Sequence, residues 1–221
     1  SDAMNDLWET ARKLESQIKI PMDLDALEGR RFLLRMLSES VDSFVEYIDS
    51  DRPEFRHAEG PHRKMFGDCP DTDYLQAPIH LKNQQVYRIW GQIPHNSTYV
   101  GILLYGKGGR VGSKLADSDL KLDQDGNFDI LVSADPDKNP QLLGDGDEHS
   151  VMVRQYYSDR KSEKPINVNI ELIGDAPVPK PLDPEWMAKR VQLAESMLKV
   201  IFSRTIEAYQ TVRSTALNKF I

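Results

Sequence analysis

The sequence predicts an α+β fold in which an antiparallel β region stands between helical ends. Three observations predict it. Apolar residues recur at helical spacing over about residues 5–50 and again over 183–216, they alternate over 80–173, and no helical segment separates the alternating runs.

Leu7, Trp8, Ala11, Leu14 and Ile18 mark a first helix that Pro21 stops. A second helix follows, capped by Asp23 or Asp25, with Glu28 three residues after Asp25 as in a capping box. Its apolar face reads Leu27, Leu34, Leu37, Val41, Phe44, Val45 and Ile48, and Asp49 to Pro53 ends it. Residues 54–70, with His57, Gly60, Pro61, His62, Arg63, Lys64 and Gly67, read as an irregular connection that runs on into an acidic, proline-marked loop.

Alternation places Val86, Arg88 and Trp90 on one face of a strand and Tyr87 and Ile89 on the other. Tyr99 to Tyr105 is nearly all apolar and reads as a central strand covered on both faces. Residues 106–114 read as a flexible basic loop. Leu120 to Leu122 and Phe128 to Val132 flank Asp125-Gly126, which reads as a hairpin turn. Residues 135–149 form an acidic loop, and Val151 to Tyr157 alternates again. Ile166, Val168, Ile170 and Leu172 share one face opposite Asn167, Asn169 and Glu171. A proline-rich spacer from Ala176 leads to the last helix. Asp183 caps it and Pro184 takes its first turn. Its seam reads Met187, Val191, Ala194, Leu198, Ile201, Thr205, Ala208 and Val212, with Trp186, Phe202 and Tyr209 beside it.

Composition narrows the function classes. With 221 residues, 39% of them hydrophobic, the chain is long enough for a full core. A net charge of −7 argues against nucleic acid and against an anionic membrane surface. One cysteine, Cys69, excludes an internal disulfide framework. No apolar run reaches spanning length, and the start lacks the apolar core of a signal peptide, so the expected location is cytoplasmic. Ser1-Asp2-Ala3 reads as an expression scar ahead of Met4.

Chemical motifs are few. The glycine-rich loop 106–114 lacks the Gly-Lys-Ser/Thr ending of a phosphate-binding loop. Asp123, Asp125 and Asn127 resemble half of a calcium loop without its closing glutamate. No histidine spacing fits a metal, so neither a metal nor a cofactor is expected. Cys69 follows Asp68, which raises rather than lowers a thiol pKa. Polar residues within strand patterns carry more information. Arg88 and Arg154, if turned inward, need acceptors, and Asp68, Asp71 and Asp73 are nearest in sequence. With Tyr74, Trp90 and Tyr156 they make a candidate cleft for a polar or anionic small molecule. The same residues also fit a structural salt-bridge network, or arginines on a solvent face.

Four short motifs in fixed order carry a family resemblance. Gly67-Asp68-x-Pro70-Asp71-x-x-Tyr74, Tyr87-Arg88-x-x-Gly91, Asp125-Gly126-x-Phe128 and Arg154-Gln155-Tyr156 resemble the bacterial family called domain of unknown function 1214, over about residues 68–173. Many members have a Trp-Leu pair where this chain has Gln141-Leu142-Leu143. The resemblance implies a jelly-roll-like β-sandwich and no established activity. The expected organisation is a helical segment at 1–52, a β-sandwich domain at 53–180 and a C-terminal helix at 181–221.

Three functions compete on these residues. The first is a non-catalytic module that binds a sugar or organic acid. The second is an enzyme with a cleft built on Arg88, Arg154, Tyr156 and the aspartates 68, 71 and 73. The third is an assembly protein acting through its terminal helices, with a homodimer through the C-terminal helix from about Ile201.

Overall fold

The computed structural model describes residues 2–18, 23–59, 68–82, 85–179 and 181–215. These residues fall into two units: a helical one (2–46 and 181–215) and a strand one (47–59 and 68–179). Pro21, Gly60 to Lys64, Gly67 and Ala216 lie outside the described residues.

In the helical unit, α1 (Asp2–Glu15) and α2 (Asp23–Val41) pack against α3 (Pro184–Thr215). A π-helical turn, Asp42–Glu46, continues α2 where one unbroken helix is expected. Asp183 caps α3 as expected, its carboxylate accepting from the backbone N of Glu185 and Trp186, each at 3.3 Å. Leu7 and Leu14, Leu33 and Met36, and Val191, Leu198, Ile201 and Phe202 form one buried cluster. The expected seam of α3 is therefore buried as far as Ile201, and Phe202, placed beside it by the sequence, is fully buried. Ala208 and Val212 are exposed.

The expected face of α2 is wrong by one position. Leu27 and Leu34 are 57% and 65% exposed, whereas Leu33 and Met36 are buried. Leu33-Leu34 and Met36-Leu37 put two apolar stripes side by side, so hydropathy alone does not choose between them. Packing against α3 does, with the Phe32 ring 6.0 Å from that of Phe202.

The strand unit holds nine strands: β1 (Arg56–Glu59), β2 (Thr72–Pro78), β3 (Val86–Gln92), β4 (Tyr99–Gly106), β5 (Val111–Ala116), β6 (Asn127–Ser133), β7 (Leu142–Leu143), β8 (Glu148–Tyr156) and β9 (Asn167–Leu172). They form a five-stranded sheet, β1-β2-β8-β4-β5, and a four-stranded sheet, β7-β6-β3-β9. Every pairing is antiparallel except the short β6–β7 ladder. Ala77, Val100, Ile102, Leu104, Val151 and Val153 from the large sheet share one core with Tyr87, Ile89, Phe128, Ile130, Val132 and Ile170 from the small one. Burying two facing apolar rows of this size supplies the main favourable term for the unit. Tyr87 sits at its rim. Its hydroxyl accepts from His80 N at 2.9 Å and donates to the Ser50 carbonyl at 3.1 Å. Burial raises its pKa.

Several local expectations change. β1 and β2 occupy segments read as connection and loop. β5 takes the last part, residues 111–114, of the stretch read as a flexible basic loop. Residues 120–123 carry no strand, although the turn exists: Asp123 N donates to Asn127 O and Gly126 N to Asp123 O. Gly126, at φ +82°, supplies the left-handed residue there, and a Cβ on it would meet the Ile93 carbonyl at 2.3 Å. β6 leaves the turn to pair with β3, so Asp125-Gly126 does not close a hairpin. β4 is covered fully on one face only, since Tyr99 remains 41% exposed.

Candidate functional site

The outward face of the four-stranded sheet is built from three cross-strand rows on β6, β3 and β9. Asn127, Gln92 and Asn167 form the first. Asp129, Trp90 and Asn169 form the second, and Leu131, Arg88 and Glu171 the third. The alternation that turns Tyr87 and Ile89 into the core turns Arg88, Trp90 and Gln92 outward. Between the outward Trp90 and Gln92, Gly91 lets β3 and β9 pair closely, because a Cβ there would lie 1.9 Å from the Asn167 carbonyl. Lys121, Leu122 and Asp123, in the segment before β6, complete a groove of about 670 Å³ over these rows.

The arginine prediction is corrected here. Arg88 meets carboxylates, but not Asp68, Asp71 or Asp73. Its Nη2 lies 2.7 Å from Asp129 Oδ2, its Nε donates to both Asp129 oxygens, and its Nη1 lies 3.2 Å from Glu171 Oε1. Its side chain is 41% exposed, so the expected half burial holds and only the partners differ. The Asp129 carboxylate, then Glu171, push its pKa further up, so it is a fixed cation. Strand alternation shows which residues share a face but not which face points inward, and the partners come from strands distant in sequence. The guanidinium also lies over the Trp90 ring, 4.9 Å from its centroid, and holds the half-buried indole in place.

Other groove side chains are fixed as well. Gln92 Nε2 donates to the Asp125 carbonyl at 2.8 Å. Asp123 accepts from the Asn127 side chain at 2.9 Å and from its backbone N at 2.8 Å, and these bonds hold the Asp123 pKa down. Two cations, Arg88 and Lys121, and two carboxylates, Asp123 and Asp129, line the groove, so its formal charges cancel.

The other predicted residues lie elsewhere. Arg154, Tyr74 and Tyr156 stand on the outward face of the five-stranded sheet, across the core from Arg88 and Trp90. Asp73 is at the sheet's end, where it pairs with Arg160 at 3.0 Å and accepts from the Tyr157 hydroxyl at 2.7 Å. Asp71 is exposed and gives its carbonyl to Tyr157 N. Asp68 is half-buried. The eight residues therefore do not form one cleft. The groove residues Gln92, Asn127, Asp129, Asn167 and Asn169 were not among them. Their signal was readable, since Asn167, Asn169 and Glu171 repeat polar groups on the face opposite Ile170. Among the described residues no group of three or more His, Cys, Asp and Glu is placed to hold a metal, and no helix is long and apolar enough to cross a membrane.

No family model matches the chain, and no curated protein matches it in sequence. Its fold is that of a solved structure of an uncharacterised protein from Burkholderia cenocepacia. That protein is 24% identical, with a TM-score of 0.84 over 97% of this chain and 60% of its own. The chain thus spans about three fifths of that relative, and the likeness is one of fold alone. A weaker similarity links it to the VPA0106 protein of Vibrio parahaemolyticus, at 16% identity and a TM-score of 0.35, covering 56% of this chain and 31% of the other.

Proposed function

We propose that this protein is a non-catalytic binding module for a neutral saccharide, held in the groove of the four-stranded sheet. The observation that carries this reading is Trp90 at the centre of a row with Asp129 and Asn169, with amides above and an arginine below. A half-buried indole offers an apolar face for the C–H face of a sugar ring, and the surrounding amides and carboxylates are donors and acceptors for its hydroxyls. Charge favours a sugar over an organic acid. Arg88 is already neutralised by Asp129 and Glu171, so an anion gains little there. The separation of Arg88 from Arg154 and from the aspartates 68, 71 and 73 supports binding over an enzyme cleft.

The same proposal includes a jelly-roll-like β-sandwich. It is supported by five of the connections between successive strands crossing from one sheet to the other and by β8 lying between β2 and β4. It also includes membership of the domain of unknown function 1214 family, for which Gly91 and Gly126 of the resembling motifs have clear steric reasons. A cytoplasmic setting suits the single Cys69. A second copy of this chain is the proposed partner for the exposed end of α3, where Ala208 and Val212 continue the seam. Light scattering on the full chain and on one ending at Glu207 tests that, and a monomer in both ends the idea.

The groove is tested by titrating neutral tetrasaccharides of glucose, xylose and mannose against the full chain, followed by calorimetry and tryptophan fluorescence. At least one binds saturably, and Trp90→Ala abolishes binding while Trp8→Phe does not. Absence of binding by all three, or unchanged affinity in Trp90→Ala, overturns the reading.

A further inference from the structure

The outward face of the five-stranded sheet carries a different chemistry. Along β2, β8 and β4 the cross-strand rows read Thr72, Tyr156, Tyr99; then Tyr74, Arg154, Gly101; then Gln76, Met152, Leu103; then Pro78, Ser150, Tyr105. Arg154 is central. Its Nη2 donates to the Tyr105 hydroxyl, its Nε lies 3.4 Å from the Met152 sulfur, and its guanidinium lies 5.6 Å from the Tyr74 ring centroid. These partners are uncharged, and no carboxylate among the described residues forms an ion pair with it. Arg88, Arg110 and Arg160 each have one.

Two further observations fall on the same face. Thr72 Oγ1 and Ser150 Oγ are buried side-chain atoms without a hydrogen-bond partner. Thr72 is diagonal to Arg154, one row away on the adjoining strand. Buried hydroxyls are normally satisfied, and an unmatched guanidinium beside one asks for an acceptor. Gly101, directly opposite Arg154, lets the Tyr99 ring lie beside Arg154, its atoms 3.0–3.4 Å from where a Cβ would stand. Tyr99 and Tyr156 meet edge to face at 5.5 Å, giving an aromatic wall beside the charge.

We infer that Arg154 anchors a second binding site, for a small carboxylate with a planar apolar body. The carboxylate meets the two-pronged guanidinium and the Thr72 hydroxyl, and the flat body lies against Tyr99 and Tyr156. This site shares no residue with the saccharide groove and does not depend on it.

Benzoate is the probe, with acetate and inorganic phosphate as comparators, titrated into the full chain by calorimetry and by shifts of the tyrosine ring signals. Benzoate binds saturably and at least about tenfold more tightly than acetate or phosphate, because only it uses the aromatic wall. Arg154→Gln weakens benzoate about tenfold or more. Thr72→Val, which keeps the shape and removes the unpartnered hydroxyl, weakens it about threefold without lowering the melting temperature. A merely structural threonine would leave affinity unchanged. If Arg154→Gln does not fold, Arg154→Lys replaces it, and an unchanged benzoate affinity there overturns the assignment. So does an absence of saturable benzoate binding, or phosphate binding as tightly as benzoate.

Discussion

Arg88 and Asp129 meet diagonally across β3 and β6, with the Arg88 Nη2 to Asp129 Oδ2 distance at 2.7 Å and the Nε bonded to both carboxylate oxygens. The pair lies in water-accessible surface, its side chains 41% and 54% exposed. Exposed ion pairs contribute little to stability. Arg88→Met therefore shifts the melting temperature by no more than about 3 °C. A fall of about 10 °C would show the pair to be a core element.

Gly91 presents the opposite case. A Cβ at this position meets backbone, the Asn167 carbonyl at 1.9 Å, and backbone in a paired ladder does not yield as a side-chain tip does. Gly91→Ala destabilises the protein by about 3 kcal/mol, read as a lower urea midpoint. An unchanged midpoint would mean that β9 moves freely relative to β3.

Glu163 gives the acid response a defined origin. Its carboxylate accepts from Ser158 Oγ and Ser158 N, each at 2.7 Å, from Asp159 N at 3.0 Å, and from Thr98 N and Oγ1, each at 2.8 Å. These bonds, the Ser158 hydroxyl first, pull its pKa from 4.5 down to about 2. A lowered folded pKa means stabilisation that is complete above the unfolded value and lost as pH falls toward the folded one. Between about pH 4.5 and pH 2 the wild type loses stability more steeply than Glu163→Gln, as thermal melts across that range will read. Parallel curves would exclude Glu163 as the source.

Phe202 tests the helical unit. It is fully buried and stacks obliquely on Phe32. Phe202→Ala costs about 3–5 kcal/mol in denaturant unfolding, whereas Val212→Ser, at a half-exposed position, costs almost nothing. Equal effects would mean that the buried part of α3 does not end where the structure places it.

Much of this was legible in the sequence where one periodicity stood alone. The β9 segment alternates cleanly, and Val168, Ile170 and Leu172 do face the core. The seam of α3 was legible as far as Ile201 for the same reason. β2 was missed because Thr72 and Asp73 follow an acidic, proline-marked turn, and its strand character comes from pairing with β8, more than seventy residues later. β5 was hidden by its own Gly112 and by Gly108 and Gly109, which belong to the turn before it. The groove escaped because its residues come from three strands. Each strand carries one or two ordinary polar residues, and only the sheet order brings them into rows.

The helical unit takes its two halves from opposite ends of the chain. About 140 residues separate Val41, where α2 ends, from Pro184, where α3 begins. During synthesis at about 5–20 residues per second, the apolar stripe with Leu33 and Met36 waits roughly ten seconds or more for Leu198 and Phe202 to be made. For that interval α1 and α2 have no α3 to cover them while the strands between them emerge. A nascent chain stalled before α3 is thus a sticky species, and a chaperone that shields short apolar helices will hold it longer than it holds the finished protein.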